Sequence, residues 1–321
     1  MSFSEHTGQQ PIPGEHVGRR PSPSPLLGLL VGGAAGVLGL SPWLVAGARL
    51  PLQNLWATLE GPDRMPHVLL PLSQYSLVTI VVLLVVGGAA AGITLRIWNP
   101  TRHRTTVKYA VAGLCAVQLA AVIQSFTVLH AGLMEGTAAT IYVLGLLVGT
   151  ILSLAASITL CLLLAARSRT TVALAIGILA VPLATWAVEW VIGLAGPMDL
   201  PSWVPIISRW LPAILVGCTL AWFGLRSAQD AGIWITNLAL LWLVPALFTT
   251  INVVFGTRVI LGNPGEMLRL GQQILTTTLG AEGGAAPVVL LALIIAILGT
   301  GTRLIATRIT APTNGRPPES T

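Results

Sequence analysis

One acidic residue inside a long apolar run is the most chemically informative feature of this sequence. Glu189 lies in the stretch TWAVEWVIG, which carries no other charge. A carboxylate inside a membrane costs free energy, so its presence there usually marks a functional site. Trp186 and Trp190 flank it, and tryptophan is enriched where a membrane meets water. Two interpretations therefore stay open, a substrate or ion site and a carboxylate that reaches the interface.

An internal repeat gives this position a context. The stretches RHRTTV (102–107) and RSRTTV (167–172) are 65 residues apart, and AAGITL (90–95) matches AASITL (155–160) at the same offset. A weaker third copy aligns Val181-Pro182 with Val244-Pro245 at an offset of 63. Chance alignment of apolar helices is the alternative. The repeat predicts a helical hairpin used about four times in parallel orientation, with the threonines of each motif capping the following helix.

The repeat aligns Glu189 with Gln124 and, less directly, with Asn252. If these faces converge, they form a polar cluster that opens to the outside, and we take all three as candidates for a substrate pathway. Gln118 lies nearer mid-span, where an interhelical hydrogen bond is expected. Arg209, in PIISRWLP, is either an interfacial anchor or a cation that faces the cluster.

Patterns typical of catalysis or of metal binding are absent from the sequence. It has no HExxH, GxSxG or P-loop pattern, and its three cysteines form no CxxC pair. We therefore expect no metal, no cofactor and no enzymatic activity. An enzyme that acts on a lipid-linked substrate through Glu60, Asp63 and His67 is the less favoured reading.

Composition indicates an integral membrane protein. Hydrophobic residues make up 54% of the chain and charged residues 9%, whereas soluble proteins carry about 25% charged residues. A span needs roughly 20 apolar residues. The sequence offers eight such runs, which predict an all-α polytopic bundle: about 26–46, 74–95, 107–130, 140–165, 171–193, 205–225, 231–255 and 287–308.

The basic residues predict the orientation of this bundle. Twelve of the 17 lysines and arginines fall on the side that holds both termini, so the positive-inside rule places the termini in the cytoplasm. Scarce lysine and abundant alanine and glycine suggest a bacterial inner membrane. The charges lie in short clusters between spans, which argues against nucleic-acid binding despite a pI near 10.

The predicted domain organisation is a single membrane domain between two tails. Residues 1–22 and 311–321 are expected to be disordered cytoplasmic tails around a domain at 23–310. Its outer loops are predicted at about 47–73, 131–139, 194–204 and 256–286.

Two function classes follow from these features. The first, slightly favoured, is a transporter or permease-type protein with an outward-facing polar site around Glu189. The second is a non-catalytic accessory or assembly protein of a cell-envelope complex. Outer segments 50–60 and 266–279 share several letters and are predicted to be amphipathic. They would bind the lipid surface or an envelope or transporter partner.

Overall fold

The computed structural model describes residues 25–58, 61–98, 103–196, 199–257, 263–280 and 283–309. The predicted tails at 1–22 and 311–321 lie outside these residues. The described chain is helical and contains no strand. Its α-helices are α1 (Pro25–Val45), α2 (Leu77–Trp98), α3 (His103–Gly132), α4 (Thr137–Ala165), α5 (Arg169–Ala195), α6 (Val204–Phe223), α7 (Ala228–Gly256), α8 (Pro264–Leu279) and α9 (Ala285–Ile309).

Eight of these helices, all except α8, are long and apolar enough to cross a membrane. They coincide with the eight runs read from the sequence, so the predicted polytopic helical bundle is confirmed. The apolar run sets the span because every backbone group in hydrocarbon must find its partner within the helix.

The helices pack as two four-span halves, which we call the first half (25–165) and the second half (169–309). In the first half α1 packs along α3 and α2 along α4. In the second half α5 packs along α7 and α6 along α9. The pairs α1–α2 and α5–α6 also correspond, and α5 joins the halves by packing on α1, α2 and α4. Within each half, equivalent helices of consecutive hairpins therefore lie side by side.

Small residues permit the closest of these approaches. A Cβ atom added to Gly32 would overlap the backbone of Ala110 on α3, and one added to Gly88 would overlap Ser157 on α4. Gly217 similarly meets the carbonyl of Ala292 on α9. In a membrane, where lipid is as apolar as leucine, such close backbone contact is a main source of helix association.

The ends of α2, α4 and α6 and the starts of α3, α5 and α7 lie on one face, which we call the short-turn face. Ser168 caps α5 by accepting from the backbone N–H of Thr171, and Ser227 forms a capping box with Asp230 at the start of α7. The prediction that the motif threonines cap the following helix is wrong for the second copy of the motif, since Thr170 and Thr171 already lie inside α5. Serine occupies the capping position because its short hydroxyl side chain reaches the N–H of the first turn.

The remaining connections lie on the opposite face, the long-loop face. Here Trp56 contacts Gly132 at the end of α3, and Gly193 near the end of α5 lies against Pro42. The α1–α2 connection, residues 46–76, folds back into the bundle and buries Leu50, Met65, Val68, Leu70 and Leu72. We call residues 46–76 the inserted loop.

The two outer segments that resemble one another in sequence differ in structure. Residues 50–58 are non-helical and belong to the inserted loop, whereas residues 264–279 form the amphipathic helix α8. The resemblance of letters therefore does not extend to conformation. Of the two segments predicted to be amphipathic, 266–279 lies in α8, which buries none of its residues and packs on α7.

Candidate functional site

Glu189 lies where the two halves meet. The hydroxyl of Thr79 on α2 donates to its Oε1 at 2.9 Å, and the side chain is half-buried. Trp186, one turn earlier on α5, packs edge-on against Trp190 and donates its Nε1–H to the carbonyl of Gly39 on α1. The carboxylate and its tryptophan neighbours therefore tie α5 to the first half.

Gln124 holds the inserted loop in place. Its Oε1 accepts from the backbone N–H of Leu69 at 3.0 Å, and its Nε2 donates to the carbonyl of His67 at 3.0 Å. The adjacent hydroxyl of Ser125 accepts from the N–H of Leu70 at 2.9 Å. These two side chains supply the partners that loop backbone groups need inside a bundle.

Asn252 is exposed on α7. Glu189, Gln124 and Asn252 thus occupy three different environments. Within the residues that the structure describes, no hydrogen bond joins any two of them. The structure does not bring the aligned residues into one polar network.

Gln118 is buried between three helices. Its Nε2 donates to the carbonyl of Leu84 on α2 at 2.8 Å and to the hydroxyl of Ser157 on α4 at 3.0 Å. Ser157 donates to the same carbonyl at 2.8 Å. This is the interhelical bonding that its mid-span position leads one to expect, and it fastens the first half at its centre.

The residues considered for catalysis on the inserted loop are used structurally where the structure describes them. The Nδ1 of His67 bonds to the carbonyl of Gly47 at 2.9 Å. Asp63 offers its backbone carbonyl to Arg49, and Glu60 lies outside the described residues. Within the described chain, no group of three or more histidine, cysteine or acidic side chains could hold a metal ion.

Arg209 lines a cavity of about 350 Å³ in the second half. The cavity lies between α5, α6, α7 and the start of α9, toward the long-loop face, and Thr278 at the end of α8 closes one side. The guanidinium of Arg209 lies 5.2 Å from the ring centre of Trp210. Its lining residues are Val181, Ser208, Arg209, Pro212, Leu241, Trp242, Pro245, Ala246, Thr278, Gly283, Gly284, Ala285 and Val288.

Two prolines free backbone carbonyls of residues that line this cavity. Pro212 and Pro245 lie inside α6 and α7. A proline has no N–H for the carbonyl four residues before it, so Ser208 and Leu241 each lose their usual helical donor. Both of those residues line the cavity. Arg209, Ser208 and Thr278 are thus the polar or charged side chains among the lining residues, which are otherwise mainly apolar.

An apolar groove of about 460 Å³ adjoins this cavity on the lipid side of α7 and α9. Trp242 lines both spaces, and its Nε1–H donates to the carbonyl of Leu279 at 3.2 Å. The other lining residues are Ile235, Leu238, Ala239, Leu243, Leu279 and Val289. Together they form a mainly apolar cavity that is lined by one arginine and, on the other side of Trp242, an apolar groove.

Of the five residues proposed from the sequence, Arg209 lines this cavity. Sequence reasoning missed Trp242, Pro212 and Pro245 as lining residues. The prolines were the available signal, because a helix-breaking residue in a span frees a carbonyl that another group must satisfy.

Comparison of the chain with protein-family models, with curated proteins and with solved structures finds no match.

Proposed function

We propose that this multi-pass membrane protein is a transporter or permease-type protein that takes an anionic membrane amphiphile into the second-half cavity. The observation that carries the proposal is a cavity among membrane helices that is lined by Arg209. A cation within a membrane bundle typically marks a path for a charged group. We further propose a bacterial inner membrane, with both termini in the cytoplasm and the long-loop face outside, from the distribution of arginine.

The two joined spaces suit the two parts of an amphiphile. Arg209 would pair with an anionic head, since a guanidinium donates to phosphate or carboxylate through two parallel N–H bonds. The hydroxyls of Ser208 and Thr278 would bond to a head that carries hydroxyl groups. The groove beyond Trp242 would hold the apolar chain, so the substrate would enter sideways from the membrane between α7 and α9.

In this proposal Glu189 acts at the joint of the two halves and does not bind the head. Its bond to Thr79 links α5 to α2, so a relative movement of the halves would strain it. Transporters built from repeats expose a site alternately by moving one unit against another.

A translocation assay tests this proposal. Protein in liposomes is given phosphatidylglycerol with a fluorescent nitrobenzoxadiazole label, and dithionite bleaches the label in the outer leaflet. We expect translocation faster than in empty liposomes, and a fall of about tenfold in Arg209→Gln because a charge-assisted hydrogen bond is lost. Arg269→Gln is the matched control, since Arg269 is exposed on α8 and carries the same charge. No translocation by folded protein, or equal loss in both variants, contradicts the proposal.

A second candidate function, an accessory subunit of an envelope complex, is favoured by α8. This helix buries no residue, and Leu268 is 64% exposed on it. An amphipathic helix with an open apolar face suits a partner or the membrane surface. Purification in mild detergent tests this alternative: a stable partner that is lost when residues 266–279 are deleted supports it, and a clean monomer contradicts it.

A further inference from the structure

A second cavity, of about 410 Å³, lies at the short-turn face, on the opposite side of the bundle from Arg209. Its lining residues are Arg96, His103, Ala165, Ala166 and Arg167. His103 belongs to the first copy of the repeated motif and Arg167 to the second. The repeat thus brings its two copies to one space.

The bonds of His103 leave one ring nitrogen without a partner. Its Nε2 bonds to the carbonyl of Ala165 at 3.0 Å, so Nε2 carries a proton. Its Nδ1 is buried and has no hydrogen-bond partner among the described residues. Buried polar atoms are rarely left in this state. A hydroxyl of a lipid headgroup would donate to Nδ1 of the neutral ring, and a phosphate oxygen would accept from Nδ1 of the imidazolium.

The charges around the cavity are uncompensated cations. Arg96 is half-buried and donates to the carbonyl of Ala166, which fixes its position at the cavity wall. Arg167 is exposed at the same cavity. The carbonyls of Ala165 and Ala166, at the end of α4, are already bonded to His103 and Arg96. Among the described residues that line the cavity none is acidic, so the site is complementary to an anion.

We propose that this cavity binds the phosphate of an anionic phospholipid from the leaflet at the short-turn face. A lipid fits better than a soluble phosphate because apolar side chains continue from the cavity toward the membrane. Ile97, next to Arg96, is 79% exposed, and Leu162, one turn before Ala166, is also exposed. Clusters of basic residues at the end of membrane helices attract anionic headgroups. This site is separate from the proposed substrate cavity and does not depend on it.

The neighbouring arginine supplies a matched control. Arg169 lies two residues after Arg167 on the same face, and its guanidinium sits over the ring of Trp222 at 5.6 Å. General attraction to an anionic surface weakens equally when either charge is removed. Binding to a specific site in the cavity weakens only when the charge of Arg167 is removed.

The test is a titration of the delipidated full-length protein in mild detergent with short-chain phosphatidylglycerol, followed by native mass spectrometry. The Arg209→Gln background removes the second-half cavity from the measurement. We expect Arg167→Gln and His103→Ala to raise the Kd by about tenfold, since the first removes a charge-assisted contact to phosphate and the second removes the ring that bonds the headgroup. Arg169→Gln is expected to change the Kd by less than about twofold, as for a screened surface charge.

Two further ligands decide the kind of anion, and melting temperatures confirm that each variant is folded. Phosphatidylcholine is expected to bind at least about tenfold more weakly, because its choline cation meets the cationic wall. Inorganic phosphate is expected to compete only at millimolar concentration, because it makes the headgroup contact alone. A millimolar Kd corresponds to a binding free energy of about 4 kcal/mol. Equal loss in the Arg167 and Arg169 variants, equal binding of the two lipids, or phosphate binding as tight as phosphatidylglycerol would overturn the proposal.

Discussion

The first and second halves share the same pattern of contacts between helices, but they differ in the connections at the long-loop face. In the first half the connection from α1 to α2 is residues 46–76, and it buries Leu70 and Leu72 completely. In the second half the connection from α5 to α6 is residues 196–203, and a cavity of about 350 Å³ lies among the helices. In the first half the loop thus fills the space between the helices, whereas in the second half the space remains a cavity, with Thr278, Gly283 and Gly284 on one side.

The polar groups near the long-loop face also differ between the halves: those of the first half bond the inserted loop, and those of the second half line the cavity. Gln124 and Ser125 on α3 bond the backbone of the inserted loop, and Tyr142 on α4 bonds Gln53 of that loop at 2.6 Å. On the second half Ser208 and Arg209 face the cavity. The comparison teaches that a polar residue near the long-loop end of a span is structural when it bonds a loop and is available to a ligand when it lines a cavity.

The closest contact between equivalent helices also differs between the two halves. Gly32 and Gly113 bring the backbones of α1 and α3 into direct contact. In the corresponding pair α5 and α7, Gly177 meets the side chain of Asn237 instead. Backbone contact through glycine leaves little room to slide, whereas a side chain can change rotamer. The α1–α3 pair of the first half therefore suits a rigid frame better than the α5–α7 pair of the second half does.

The largest effect is expected where the rigid frame is most tightly packed. Gly32→Val places a branched side chain against the backbone of Ala110, which cannot give way. Overpacking of this kind costs about 3 kcal/mol of unfolding free energy. Equilibrium unfolding in mixtures of SDS and mild detergent measures it.

Gly33→Val is the control, because a Cβ atom there lies 3.8 Å from its nearest neighbour, in ordinary contact. If Gly33→Val costs as much as Gly32→Val, close contact between α1 and α3 is not what makes the first half rigid.

The next effect concerns what keeps the inserted loop closed. Gln124→Leu leaves the N–H of Leu69 without its acceptor, and an unsatisfied buried N–H costs about 2 kcal/mol. The loop should open more often, so trypsin should cut faster after the exposed Arg64. The rate of appearance of that fragment measures the change.

Thr127→Ala provides the comparison, since the Thr127 hydroxyl bonds only to Ile123 of its own helix at 2.8 Å. An unchanged cleavage rate in Gln124→Leu would show that burial of the loop's leucines holds it in place without the glutamine.

The number and limits of the spans follow from the sequence because run length alone decides them. The contacts between spans do not follow, because a small-residue spacing says which face can approach another helix but not which helix approaches. Gly32 and Gly88 carry similar spacings, yet one meets α3 and the other α4.

The candidate site was predictable only in part for a related reason. Arg209 stood out as a cation near a span end, and Glu189 as an acid within a span. Gln124 looked equivalent to Glu189 in register, but its role depends on a loop that precedes it by 55 residues. Residues 46–76 lack helical periodicity, so no local pattern places them inside the bundle. The cavity in the second half depends likewise on how residues distant in the sequence meet, such as Arg209 and Thr278, and no sequence motif records this.

A smaller effect is expected at the joint between the halves. Thr79→Val and Glu189→Gln, singly and together, form a double-mutant cycle whose coupling free energy should be about 1 kcal/mol for one hydrogen bond. Because the carboxylate lies at the joint, Glu189→Gln should slow translocation less than Arg209→Gln does. Additive unfolding free energies would show that the bond does not hold the halves together, and a larger loss of translocation would make Glu189 the binding group.

The smallest effect is expected at Asn252, the third residue that the repeat aligns with Glu189. Its side chain is exposed on α7, and surface substitutions away from special features change the unfolding free energy by about 0.5 kcal/mol at most. Asn252→Ala should therefore leave both unfolding and translocation of the labelled lipid at wild-type values. A fall in translocation as large as that of Arg209→Gln would reverse the comparison. The repeat register, and not the uncovered cavity, would then identify the substrate path, because register is what Asn252 shares with Glu189 and Gln124.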